Sequence, residues 1–249
     1  MTKSIWAWLM MPLSGSATHS IADWAAWHAR LMVLAWGILF PVGAFAARFY
    51  KVSAHQDWPR QLDNKAWWLA HRAIQSLAVA TMTAGLLLAF GSGRGESAAA
   101  VVHGWLGWLL CAAGWLQVAA GLLRGSKGGP TDVRMRGDHY DMSRWRLGFE
   151  RLHKAGGWLA IVVAVPTIAI GLAVADAPRW MALVLACWWA ALLVWFCRMQ
   201  RQGRCMDTYQ AIWGPDERHP GNRIAPVGWG VRRYSAQSWL ERPGRCKKH

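Results

Sequence analysis

The chain has 249 residues, 54% of them hydrophobic and 16% charged, with a net charge of +15 at pH 7. A charged share well under the roughly 25% usual for soluble domains, gathered into a few segments, excludes an ordinary soluble globular protein. All but four of the 28 Lys and Arg residues (Lys3, Arg30, Arg94 and Arg179 are the others) fall on one side of an alternating series of apolar runs, so topology explains the basic excess and specific nucleic-acid binding is not expected.

The apolar segment Ile5 to Leu13 is too short to span a bilayer. Residues 1–23 are read as an N-terminal segment lying at the membrane interface, with a cleaved signal peptide as the alternative. Residues 31–47, 73–93, 98–123, 155–175 and 180–197 then contain no Asp, Glu, Lys or Arg. A ~30 Å hydrocarbon core needs about 20 residues at the helical rise. Five transmembrane helices are predicted, over 24–49, 67–91, 99–123, 150–174 and 178–198. The first reaches spanning length by letting Arg30 snorkel to the interface. Loop 50–66 is polar and contains Asp57-Trp58-Pro59-Arg60; loop 91–98 is short and Gly-rich; loop 124–149 is basic, Gly-rich and irregular. Residues 199–249 carry Pro215, Pro220, Pro226 and Pro243 and little periodicity. They are expected to be partly disordered or to lie along the membrane surface. Charge bias places the N-terminus outside and the C-terminus in the cytoplasm.

Twenty Trp residues are many for this length. Trp24, Trp27, Trp67, Trp68, Trp105 and Trp180 sit at predicted helix ends, as an interfacial belt requires. Trp36, Trp115 and Trp158 lie deeper, where packing is the ordinary use and lining a cofactor the alternative. The five cysteines form no C-x-x-C pair and no C-x-x-C-H haem attachment site.

Four histidines, His28, His71, His103 and His153, each lie near the start of a separate span. Ionisable groups are excluded from membrane helices unless they have a use. Antiparallel helices set His28 with His103 at the outer level and His71 with His153 at the inner one, about 25 Å apart along a helix axis. The separations of 43 and 50 residues within successive helix pairs describe a weak repeat, the pattern of a four-helix bundle with the fifth helix outside it. Two facing imidazoles can hold a haem iron from both sides, which favours electron transfer over oxygen activation. With no covalent attachment motif, two non-covalent haem b groups are expected. A single interhelical hydrogen bond is the plain use of such a His, and a polar or metal-ion path is a second alternative.

Gly107 and Gly157 follow His103 and His153 by one turn and leave room for a flat macrocycle. Pro41 and Pro166 are expected to kink the first and fourth helices. Arg30 outside, and Lys51, Arg72 and Lys154 inside, are the candidate partners of haem propionates, with Arg151 near the same face; ordinary snorkelling is their alternative reading. His19, His55, His139, His219 and His249 lie in polar segments and are expected to be solvated.

The first span reads His28-Ala-Arg-Leu-Met-Val-Leu-Ala-Trp36-Gly37-Ile-Leu-Phe-Pro41-Val-Gly43-Ala-Phe-Ala-Ala47-Arg48-Phe-Tyr-Lys51-Val52. It resembles the cytochrome b561 family, particularly the membrane part of proteins that join that domain to an extracellular DOMON domain. Trp68-Leu-Ala-His71-Arg-Ala-Ile-Gln75 is similar to the family's second ligand helix, His103-Gly104, Gln117 and Gly121-Leu-Leu-Arg124 to its third, and His153 with Gly157 to its fourth. The resemblance covers about residues 24–175 and implies that the same four histidines ligate two haems. Many eukaryotic relatives take electrons from cytoplasmic ascorbate through basic residues, for which Lys51, Lys65 and Arg72 are the nearest candidates here; the loop around Asp57-Trp58-Pro59-Arg60 departs from that site.

The expectation is an all-α integral membrane protein whose 24–198 domain holds two haems in a four-helix core, followed by a basic cytoplasmic tail over 199–249. No DOMON domain precedes the spans, which points to a bacterial inner-membrane protein with a periplasmic N-terminus and a separate redox partner. Its function is read as transmembrane electron transfer from a cytoplasmic donor such as ascorbate, or from quinol, to a periplasmic acceptor; a ferric, ascorbate- or quinol-linked reductase activity would be one form of it. The alternatives are a haem-bearing anchor subunit of a partner dehydrogenase or reductase, and a metal-ion transporter.

Overall fold

The computed structural model describes residues 4–16, 20–92 and 95–242. The expectations at Lys3, His19, Arg94, Pro243, Cys246 and His249 lie outside the described residues. Five helices are long and apolar enough to cross a membrane: Asp23–Phe49, Ala66–Ala89, Ala98–Leu122, Arg144–Val174 and Arg179–Arg201. Even the shortest, with 23 residues, covers about 35 Å at the helical rise. Among the described residues there is no strand, and β pairing is limited to isolated bridges such as Pro12 with Pro178.

Four of the spans match their sequence boundaries within a few residues. The fourth begins at Arg144 rather than 150. Its added turns carry Arg146, which is hydrogen-bonded at 3.0 Å to Glu150 one turn on, so charges that look like a loop are neutralised on one helix face. The first span is α-helical except for a π-helical stretch, Val33–Leu39. Pro41 has no N–H to offer the carbonyl of Gly37, and the Trp188 indole donates to that oxygen instead at 2.8 Å. Pro166 lies inside an unbroken fourth helix.

The chain divides into two compact units, and each span contributes residues to both. The first comprises Met1–Pro41, Ile74–Leu116 and Trp158–Leu193. Its core contains Ala35, Trp36, Phe40, Ala78, Met82, Cys111 and Ala164. Small residues let the helices approach closely: a Cβ on Gly114 would lie 3.0 Å from Met82 Sδ. Trp36 is buried against Phe40, with ring centroids 4.1 Å apart, whereas Trp115 is exposed and donates to Thr83 Oγ1 at 3.1 Å. The short helix Ile5–Met10 leaves Ile5, Trp6, Trp8 and Met10 exposed. The residues after it are fastened to the turn before the fifth span: Ser14 N donates to Asp176 Oδ1 at 2.7 Å and Leu13 N to Ala177 O at 3.1 Å.

The second unit comprises Val42–Ala73, Gln117–Gly157 and Val194–His249. Here the expectation of a loosely ordered tail is overturned within the described residues. Thr208–Trp213 and Ala236–Leu240 are short helices, and Tyr209, Trp213, Tyr234 and Trp239 are buried. They pack in two clusters, one with Val52, Trp58 and Met206 and one with Met142, Ile212 and Val227. The Asp207–Arg233 ion pair at 2.7 Å fastens the segment. Trp58, read as part of a polar loop, is buried and donates its indole N–H to Gln210 O at 3.2 Å. Aromatic burial offsets the ordering entropy that the prolines and basic residues alone could not. The loop between the third and fourth spans closes with Gly125, Gly128 and Gly129 at positive φ and an ion pair from Lys127 to the buried Asp63 at 2.5 Å. The described cysteines Cys111, Cys187, Cys197 and Cys205 are free thiols.

Candidate functional site

Within the first unit, His28 and His103 face each other with ring centroids 6.2 Å apart and planes at 82°. His28 Nδ1 lies 2.9 Å from Gly85 O and His103 Nδ1 lies 3.0 Å from Thr167 O. A carbonyl oxygen only accepts, so both Nδ1 atoms carry the proton and both Nε2 atoms keep a free lone pair. Gly171 is needed beside this pair, because a Cβ there would stand 2.7 Å from His103 Cε1.

Within the second unit, His71 and His153 have ring centroids 6.3 Å apart and planes at 78°. His71 Nδ1–H donates to Gly43 O at 2.9 Å. His153 has a different partner. The side-chain amide of Gln117 lies 2.6 Å from His153 Nδ1, and its other end 3.1 Å from Gly157 N. Phe149 stacks on the His153 ring at 5.1 Å.

The two pairs share dimensions that suit a ligated iron. Two imidazoles bonded to one ion at about 2 Å, each ring centre roughly 1 Å beyond its nitrogen, stand about 6 Å apart centre to centre. Where Gly107 faces, a Cβ would meet nothing within 4 Å, and at Gly157 it would meet only Gln117 Oε1, at 3.9 Å. Among the described residues no group of three or more His, Cys, Asp or Glu side chains could hold a bare ion. Two imidazoles supply the two axial positions that a porphyrin leaves on its iron. The residues present therefore fit haem.

The charged candidates divide. Arg30 is exposed, its guanidinium 4.9 Å over the Trp27 ring. Arg72 and Arg151 are exposed. Lys51 is buried, and its Nζ donates to Met206 O at 3.0 Å. Burial pushes its ammonium down to about 8. Lys154 Nζ donates to Glu150 Oε2 at 2.6 Å and to Val227 O at 3.0 Å. Both lysines are thus held by backbone carbonyls of the C-terminal segment. Arg124, stacked 4.2 Å over Trp68, is also held below its ordinary value, by burial first and then by the Arg146 and Arg72 charges.

His139, expected to be solvated, is buried beside Glu150 and Arg146, with Nε2 3.2 Å from Glu150 Oε1. Burial lowers it to about 4, outweighing the Glu150 oxygen that raises it. His219 is half-buried, 3.3 Å from the Tyr140 hydroxyl, whereas His55 is exposed as expected. Sequence reasoning missed Glu150 because it reads as an interfacial charge, and it gave Gln117 no role. The signal for Gln117 was available: it is the lone amide in the charge-free run 98–123.

The family model described as eukaryotic cytochrome b561 matches residues 27–177. The chain belongs to the cytochrome b561 family. No curated protein and no solved structure matches it. Membership in a cytochrome b561-like family agrees with transmembrane electron transfer, and the five long apolar helices agree with a multi-pass membrane protein. The eukaryotic description of the matched family overturns the expectation of a bacterial inner membrane. That expectation rested on chain size and on a domain not seen ahead of the spans, neither of which is an address signal.

Proposed function

We propose that this cytochrome b561 family member carries electrons across a membrane through two b-type haems, one held by His28 and His103 and one by His71 and His153. The observation that supports this reading is the repeated pair geometry. Centroid separations of 6.2 and 6.3 Å recur, and three of the four rings give their Nδ1 proton to a backbone carbonyl. Haem, when bound, supplies a one-electron iron couple. The chain's own residues fix the rings, keep Nε2 free and exclude water with apolar walls. Lys51 stands near His71 and Lys154 near His153, where propionates or an anionic donor would meet Lys51 and share Lys154 with Glu150. The donor is read as ascorbate or quinol at the basic face, and the acceptor as a redox partner at the opposite face.

The test is direct. Purified protein should contain about two haems per chain by pyridine haemochrome and show a bis-histidine spectrum, reducible by ascorbate or by quinol. His71→Ala should remove one haem and retain the other. Protein expressed with ample haem that binds none, or that loses both haems equally in His71→Ala, would overturn the reading.

A further inference from the structure

Three of the four histidines give Nδ1 to a main-chain oxygen that cannot be exchanged by substitution. His153 alone meets a side chain, Gln117, at 2.6 Å. A backbone carbonyl only accepts, but an amide presents either an acceptor or a donor after a half-turn. With nitrogen toward Nδ1 the ring proton is forced onto Nε2, and the lone pair that would bind iron is lost. With oxygen toward Nδ1 the tautomer matches the other three rings. The two backbone groups beside the amide favour nitrogen inward, and ligation by Nε2 requires oxygen inward. In the nitrogen-inward orientation the amide also donates to His153 O at 3.3 Å and accepts from Gly157 N at 3.1 Å, yet that N–H lies one turn past His153, where the helix already supplies an acceptor. The place for the amide is built into the fourth span: a Cβ on Gly156 would stand 2.9 Å from Gln117 Nε2.

We infer that Gln117 is the positioning residue of the second haem, its Oε1 accepting the Nδ1 proton of His153 and so fixing the ligating tautomer and the basicity of that ring. The inference rests on the haem reading above. An acceptor on Nδ1–H strengthens the imidazole as a donor and favours ferric over ferrous iron. Removing it should raise the midpoint potential of that haem, and a stronger acceptor should lower it.

The experiment is a spectroelectrochemical titration of the full chain and its Gln117→Leu and Gln117→Glu variants. The second haem is identified as the wave lost in His71→Ala, and the other wave reports that each variant has folded. Gln117→Leu should shift the second wave upward by about 59 mV, a tenfold change in the ferric-to-ferrous preference of a one-electron couple. Gln117→Glu, which keeps an acceptor oxygen, should retain the haem with its wave unchanged or lower. Wild-type protein that does not bind two haems per chain sinks the haem reading and this inference with it. Two wild-type waves, with the second unmoved in Gln117→Leu, overturn the role of Gln117 alone. Equal loss of the second haem from both variants also overturns it, because only one of them lacks the acceptor.

Discussion

Replacing Glu150 with Gln should be among the most destabilising single changes in the second unit. The carboxylate is buried, its side chain 4% exposed, and it faces Arg146 Nη2 at 3.0 Å, Lys154 Nζ at 2.6 Å and His139 Nε2 at 3.2 Å. Glutamine keeps the volume but removes the charge, leaving a guanidinium 8% exposed without the carboxylate it is bonded to. Breaking one side of a buried pair costs roughly 3–5 kcal/mol. Lys154 keeps its bond to Val227 O and its side chain is 29% exposed, so the lower end, ~3 kcal/mol, is expected. In a chain of this size that corresponds to a fall of about 6–12 °C in the thermal midpoint. The assay is Trp fluorescence melting of the detergent-purified protein at neutral pH. Asp141→Asn is the control: it removes the exposed Arg136–Asp141 pair, whose side chains are 76% and 34% exposed, and should cost under about 1 kcal/mol. If Glu150→Gln melts no lower than Asp141→Asn, the carboxylate is not the counter-ion of this cluster.

His139 makes stability depend on pH in a definite direction. Its folded value of about 4 lies below the ordinary 6.5 because of burial, so the unfolded chain takes up a proton that the folded chain refuses. The contribution is complete above about pH 6.5 and is lost as pH falls toward 4, to a total of about 3 kcal/mol. Melting wild type and His139→Asn across this range should show the gap between them narrowing with acid; a gap independent of pH refutes the assignment. In the first unit, Gly171→Ala places a methyl 2.7 Å from His103 Cε1 and should break the bond from Nδ1 to Thr167 O. The wave of the His28–His103 haem should be lost or displaced while the other remains, and two unchanged waves would show that the ring has room.

Spans were legible in the sequence because a bilayer punishes charge, so charge-free runs mark helices whatever their neighbours do. The same rule misplaced the start of the fourth helix. Arg146, Glu150 and Lys154 are spaced four residues apart, and that spacing neutralises them along one helix face; counting charges without asking which could pair begins the helix six residues late. The C-terminal segment failed for a related reason. Its prolines and basic residues read as disorder, whereas Tyr209, Trp213, Tyr234 and Trp239 form its core. The four histidines were readable because each is costly where it stands. Their hydrogen-bond partners were not, since Gly43, Gly85 and Thr167 act through main-chain oxygens that carry no side-chain signature. Gln117 is the exception that proves informative. It is the one ring partner made of side chain, so it alone could have been found by the rule that found the histidines: a polar group inside a charge-free helix has a partner, and the partner nearest its end is His153 Nδ1.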